Sequence, residues 1–326
     1  MMFSYALQRI PLVIFLSLVA TASLSQETAT ESQRTSYPVT IENCGNTVTF
    51  DQAPERVVSL YSVTTELLLS LGLEDRIVAA ANFGEVLPDD LQETYQSLNL
   101  VGDSFVIPRE VTLSYEPDLV MDNQPDWFYT AENGFATVED IENNGGQIYT
   151  ITAKCDSGRL DATFEDNYTD LRHMGKLFGV EDRAEVLIAE MEATLDDVQT
   201  RIAGKDSPSV MIYDAGEGPL GIFGAGSYGF VLDLAGGTNA FADLPETYSQ
   251  VSIEAVVARD VDVVIVAEYD GNAEARAEFI RQTFPNMTAV QNDRIVIIDY
   301  GLINPGVRNH LGVEAMAEAL FPEAFE

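Results

Sequence analysis

Two histidines, two cysteines and one tryptophan are the scarce reactive residues of this 326-residue chain, and their placement limits its chemistry. His173 and His310 stand far apart, His173 in a helical stretch that should leave it exposed. One histidine in a cleft is a poor zinc site, because zinc takes several nitrogen or sulfur ligands. A hard cation could still be held by oxygen ligands, which are abundant here. No G-x-S-x-G, H-E-x-x-H or P-loop occurs, and carboxylates are too many for any pair to stand out, so a secreted hydrolase has no visible machinery. GAGSYG (Gly224, Gly226, Gly229) is formally G-x-G-x-x-G. Gly216, Pro219 and Gly221 interrupt the approach that a dinucleotide site needs, which favours a flexible ligand-facing loop. What the chain does offer is a set for binding. Tyr61, Asn82, Trp127, Phe128, Phe223, Tyr228, Tyr248 and Tyr269 fall in or beside loops, where rings give apolar faces and Tyr and Trp add a polar tip. Trp127 and Tyr248 are the first choices. Arg308 suits a carboxylate or catecholate; the alternative for it is a surface ion pair.

The elements that would position these residues are carried by a phrase that occurs twice. EVTLSYEPDLVM begins at Glu110 and EAVVARDVDVVI at Glu254; each places an Asp (Asp118, Asp262) eight residues after the Glu, then a fully apolar run. This reads as a short helix entered through a glutamate, a tight turn, and a strand covered on both faces. A second strand follows each, Gln147 to Ile151 and Arg294 to Ile298. Further strands are expected at Arg56–Leu60, Ile77–Ala81 and Ser209–Ala215, with a helix at Glu66–Leu71 closed by Gly72 and a last helix at Leu311–Leu320. Such alternation predicts mostly parallel sheets, with ligands outside the carboxyl ends of the strands. The loops there are Tyr61–Thr65, Asn82–Glu85, Asn123–Tyr129, Gly216–Tyr228, Glu246–Gln250, Tyr269–Gly271 and Leu302–Arg308. Residues 161–204 lack strand-like runs and carry helical spacing (Leu171, Met174, Phe178; Leu187, Met191, Leu195, Val198). They read as one long connecting helix, with Gly179 as the place for a break.

Charge and cysteine content bound the setting. With 17 Lys+Arg against 53 Asp+Glu, the formal net charge is −36, which disfavours nucleic acid and anionic lipid as partners. It suits solubility in a salty medium, and steering toward a basic partner could coexist with that. Arg9, an apolar run from Ile10 to Ala20 and Ala20-Thr21-Ala22 read as a signal peptide over 1–22, too short for a permanent span. Residues 23–36 follow as a polar tether. In an exported chain, Cys44 and Cys155 are expected to form one disulfide that closes the first lobe.

The stretches APERVVSLYSVTTELLLSLGLEDRIVAA, EVTLSYEPDLVM, VSIEAVVARDVDVVIV and NPGVR, in this order, resemble the periplasmic substrate-binding proteins of ABC importers for ferric siderophores and vitamin B12. The resemblance implies an α/β fold of two Rossmann-like lobes joined by a single long α-helix, with the ligand in the cleft between them. The corresponding parts are a first lobe over 37–158, a connector over 159–205 and a second lobe over 206–326. It implies a monomer that carries a small-molecule metal chelate to an ABC permease in the inner membrane, performs no catalysis and needs no cofactor. A ferric siderophore leads as ligand, then cobalamin or haem, then a bare metal. In such proteins the glutamate of each repeated phrase docks on permease arginines, here Glu110 and Glu254. The local alternative is that each favours its own helix dipole from the first turn.

Overall fold

The computed structural model describes residues 35–82, 87–102, 107–156 and 159–326. The expected signal peptide, most of the tether, and residues 83–85 of the loop at Asn82 lie outside the described residues. A hairpin comes first, β1 (Val39–Asn43) against β2 (Asn46–Phe50), with Val39, Ile41, Val48 and Phe50 turned inward. Its turn is Cys44-Gly45, with φ of 51° and 75°. The first sheet follows: β3 (Val57–Ser59), β4 (Ile77–Ala81), β5 (Leu100–Val101), β6 (Leu119–Asp122) and β7 (Gln147–Thr150), in the order β5-β4-β3-β6-β7, all parallel. Val57, Val58, Leu119, Val120 and Met121 are wholly buried, as strands between two helical layers must be.

The second sheet holds β8 (Ser209–Tyr213), β9 (Leu220–Phe223), β10 (Thr238–Asn239), β11 (Tyr248–Val251), β12 (Val263–Glu268) and β13 (Ile295–Asp299). Its order is β11-β9-β8-β12-β13, with β10 on the start of β8. β8, β12 and β13 are parallel, while β9 and β11 run antiparallel at one edge. Each sheet changes direction of winding at its first strand, β3 and β8. The loops beyond β3, β6, β8 and β12 therefore border the crevices where α/β sheets hold ligands.

The repeated phrase has a common structural role. Glu110 and Glu254 lie in the first turns of the helices Arg109–Ser114 and Ile253–Val257, and both are exposed. Asp118 accepts the N–H groups of Glu55 and Arg56 at 2.7 and 3.0 Å, just ahead of β3. Asp262 accepts the Ser209 N–H at 2.8 Å, at the start of β8. Each aspartate thus satisfies backbone donors where the central strand of its own lobe begins, a requirement of any buried strand end.

Three expectations are corrected in detail. The helix expected at Glu66 starts at Ser62, because the Thr64 and Thr65 hydroxyls bond back to the Tyr61 carbonyl and Ser59 joins them, so Ser and Thr begin the helix instead of a loop. The glycine-rich stretch contains a strand, β9, and β11 begins inside the expected loop 246–250. The single connecting helix that the resemblance implied is two, Glu165–Phe178 and Glu181–Ile202, broken at Gly179 (φ 69°), the position that the sequence offered for a break. Left-handed backbone at Gly179 ends the first helix as a glycine C-cap. The second helix, 22 residues long, spans about 33 Å at 1.5 Å per residue. Asp170 fastens the first helix to the first lobe by accepting from Tyr149 Oη (2.6 Å) and the Thr152 N–H (3.0 Å). Gln199, on the second, donates to the Leu234 carbonyl of the second lobe. No helix among the described residues is long and apolar enough to cross a membrane.

Candidate functional site

Four of the seven expected aromatic residues meet at the second lobe. Phe223 lies 4.5 Å from Tyr228 and 5.5 Å from Tyr248, ring centre to ring centre. Tyr300 completes the group, stacked on Phe223 at 6.0 Å and edge-on to Tyr269 at 5.9 Å. Two of these rings, Tyr248 and Tyr269, turn their hydroxyls to Asp214, the residue after β8. Tyr248 Oη donates to Asp214 Oδ2 at 3.1 Å, and Tyr269 donates to the same carboxyl. Burial pushes the Asp214 carboxyl upward. Burial, followed by the Asp214 charge, pushes both the Tyr248 and Tyr269 phenols up to about 12. Both phenols therefore stay protonated at neutral pH and remain donors, with their hydroxyls turned to the carboxylate. Tyr248 is 36% exposed and Tyr269 41%, so part of each ring faces outward. Gly221 makes room for the Tyr248 phenol, since a Cβ there would collide with it. Arg276 lies over the Tyr269 ring at 4.6 Å and pairs with Asp270 at 2.8 Å, fixing the far side.

The other three aromatic residues stand in the first lobe, beyond β3 and β6. Trp127 is 45% exposed and packs edge-on against Phe135. Phe128 is 2% exposed, held between Phe135 at 5.1 Å and Tyr61 at 6.1 Å, and it supports this wall from within. Phe223 and Tyr228 are likewise buried, in the second lobe. Of the seven expected rings, those of Trp127, Tyr248 and Tyr269 keep the most exposure. Asn82 is exposed at the end of β4, its N–H bonded to the Val101 carbonyl.

Arg308 is engaged across the seam between the lobes. Its Nε lies 2.7 Å from Glu66 Oε1 of the first lobe, and Asp299 is 3.9 Å away. Both partners are largely buried, so removing either would strand a charge. Asn167 of the connecting segment donates to Asn309 Oδ1 at 3.0 Å, and Asn309 in turn holds the loop before it by accepting from the Gly306 N–H. The seam is therefore closed at this level by polar contacts.

The remaining expectations divide. Cys44 and Cys155 form a disulfide. Asn43 supports it by exchanging two hydrogen bonds with Thr150, at 2.9 and 3.0 Å. His173 is half-buried, correcting the expectation of exposure, and its Nδ1 lies 3.0 Å from Tyr149 Oη. His310 Nδ1 meets the Val307 carbonyl at 2.9 Å. No cluster of three or more His, Cys, Asp or Glu suited to a metal occurs among the described residues. In GAGSYG, β9 does run straight into Gly224, which corrects the expected interruption. The glycines serve packing instead: a Cβ at Gly226 would strike the Arg159 carbonyl. A hollow of about 750 Å³ lies at the amino ends of β8 and β13, lined by Lys205, Asp206, Asp293 and Arg294. Its position, opposite to the strand ends where such sheets bind, argues against it as the main site. The sequence reading missed Asp214 and Tyr300. Both lay inside strands as read from the sequence (VMIYDA, RIVIIDY), but β8 ends at Tyr213 and β13 at Asp299, so each is the first residue beyond its strand.

Comparison with known proteins bears on the family and the fold. A family model described as periplasmic binding protein matches residues 57–300. An uncharacterized ABC transporter substrate-binding lipoprotein of Bacillus subtilis, YvrC, is 26% identical over 298 residues, covering 89% of this chain and 88% of that protein. The vitamin B12-binding protein of Vibrio cholerae is 28% identical over 251 residues, 77% of this chain and 83% of its own. Among solved structures, a periplasmic binding protein from Veillonella parvula superposes with a TM-score of 0.78 at 26% identity, covering 86% of this chain and 97% of that one. An ABC-type Fe3+-hydroxamate transport system protein from Saccharomonospora viridis gives a TM-score of 0.75 at 28% identity, covering 87% and 99%.

Proposed function

The chain belongs to the periplasmic binding protein family, and from that membership we propose that it captures a ferric siderophore between its lobes and hands it to an ABC permease. The observation that carries this reading is the pair of aromatic walls at the carboxyl ends of both sheets, with Trp127 on one and Tyr248 and Tyr269 on the other left partly open. A bulky chelate with apolar faces and polar edges fits such walls, because rings bury large area and the lobes desolvate it from both sides. Glu110 and Glu254, exposed at matched positions, would meet basic residues of the permease. The similarity to a protein named for Fe3+-hydroxamate transport supports the iron chelate. Cobalamin is the second reading, supported by relatives named as binding vitamin B12.

The test is a titration of Trp127 fluorescence, the single tryptophan of the chain, with ferric hydroxamate, ferric catecholate, cobalamin and haem in turn. A saturable change with a ferric complex and none with cobalamin is expected. A response to cobalamin alone would transfer the assignment to the second reading, and a response to none of the four would end both.

A further inference from the structure

Every Lys and Arg among the described residues except one reaches a carboxylate or a backbone carbonyl oxygen. The exception is Lys154, whose Nζ lies 3.6 Å above the centre of the Tyr228 ring and makes no hydrogen bond or ion pair to a described residue. The residue is 4% exposed. It closes the turn Thr152–Lys154 beyond β7, at the carboxyl end of the first sheet. Tyr228 belongs to the second lobe and to the aromatic group there, with its hydroxyl 3.2 Å from that of Tyr300. A lysine with a largely buried side chain thus spans the two lobes beside the rings read as a ligand wall, its ammonium on a ring face.

A ring face replaces only part of an ammonium group's hydration, and the Lys154 Nζ is not among the fully buried unpartnered atoms, so it keeps an open side that a ligand can reach. The buried aspartates of the described first lobe and connector are engaged by other donors and none pairs with Lys154. Asp170 accepts from Tyr149 and Thr152, Asp166 from Arg159 and Thr163, and Asp122 from Tyr129 and Thr150. The Cys44–Cys155 disulfide anchors the next residue in the chain, so Lys154 has little freedom to swing outward. In a chain of net charge −36 a cation held without a counter-charge is a local exception. We infer that Lys154 is the anion-binding residue of the cleft, so that the ligand is a chelate bearing negative charge, of catecholate or carboxylate type. This rests on the reading of the cleft as a chelate site and narrows its ligand class. The anionic oxygen would take the open side of the ammonium, with the Tyr228 ring on the other.

The test compares wild type, Lys154→Met and Lys154→Arg in fluorescence titrations with an anionic ferric tris-catecholate and a neutral ferric trihydroxamate. Lys154→Met keeps the apolar stem, and it should weaken the catecholate roughly tenfold or more while changing the trihydroxamate by less than about twofold. Lys154→Arg should retain most of the catecholate affinity. An equal loss for both probes, or no loss for the catecholate, overturns the inference while leaving the chelate site standing. If the wild type binds neither probe, the parent reading fails and takes this one with it. Should Lys154→Met not fold, a crystal structure of the wild type with the tris-catecholate decides. Nζ within hydrogen-bonding distance of a ligand oxygen is expected, and a ligand seated away from Lys154 refutes the assignment.

Discussion

Side-chain type and burial together separate the residues that support from those that present. Phe128, Phe223 and Tyr228 were as visible in the sequence as Tyr248, yet the structure buries all three. Loop position indicates nearness to a cleft but not which way a ring turns, because that depends on partners distant in sequence, such as Phe135 behind Phe128 and Tyr300 behind Phe223. Tyr248 is the sharpest case of a presented ring, with its hydroxyl tied to Asp214 and its face partly open. Replacing Tyr248 with Ala should weaken the chelate roughly tenfold or more, as expected for a large ring at the centre of a contact. Replacing it with Phe, which keeps the face, should change affinity by no more than about twofold. Titration of the two variants side by side checks this. Equal losses would assign the contact to the hydroxyl instead of the ring.

Elements with a strong apolar pattern were legible, and those held by special backbone or side-chain devices were not. β4 matches its expected bounds, and β3, β6, β7, β8, β12 and β13 all appear where apolar runs predicted them. β9 was hidden by Gly216 and Gly221, which the structure needs for close approach: Gly216 has a φ of 89° and Gly221 makes way for Tyr248. The β1–β2 hairpin was overlooked although Val39, Ile41, Val48 and Phe50 alternate around a Cys-Gly turn. Asp170 shows how the connecting segment is fixed. Burial raises its carboxyl to about 7, against the lowering effect of hydrogen bonds from Thr152 and Tyr149, and Asp122 is raised to about 6 by the same cause. A raised carboxyl binds its proton more tightly in the folded state. Its contribution to stability is thus full below about pH 4 and is lost as pH rises through about 7, a change on the order of a few kcal/mol. Thermal unfolding midpoints should fall between pH 5 and pH 8 in the wild type and fall less in Asp170→Asn, which cannot ionise. Parallel pH profiles would show that Asp170 does not carry the effect.

At the scale of the whole molecule, two sheets with matched helix-strand phrases are joined through two helices and held together at the seam. The order of the lobes and the break at Gly179 could be read from the chain. The cross-lobe contacts of Glu66 with Arg308 and of Lys154 with Tyr228 could not, because each unites residues from separate sheets. The Cys44–Cys155 bond closes a separation of 111 residues. In the chain-entropy model a loop of that length contributes about 4–5 kcal/mol. Urea unfolding with and without reductant should differ by about that amount, and coincident curves would show that the bond does not constrain the unfolded chain. In the proposed function, capture and delivery fall to different residues, the partly open rings and the two exposed glutamates. The most direct measurement pairs chelate affinity with cellular iron uptake for the variant Glu110→Lys plus Glu254→Lys. Uptake should be abolished with affinity unchanged; uptake that persists, or affinity that falls, would contradict a carrier that binds with one set of residues and docks with another.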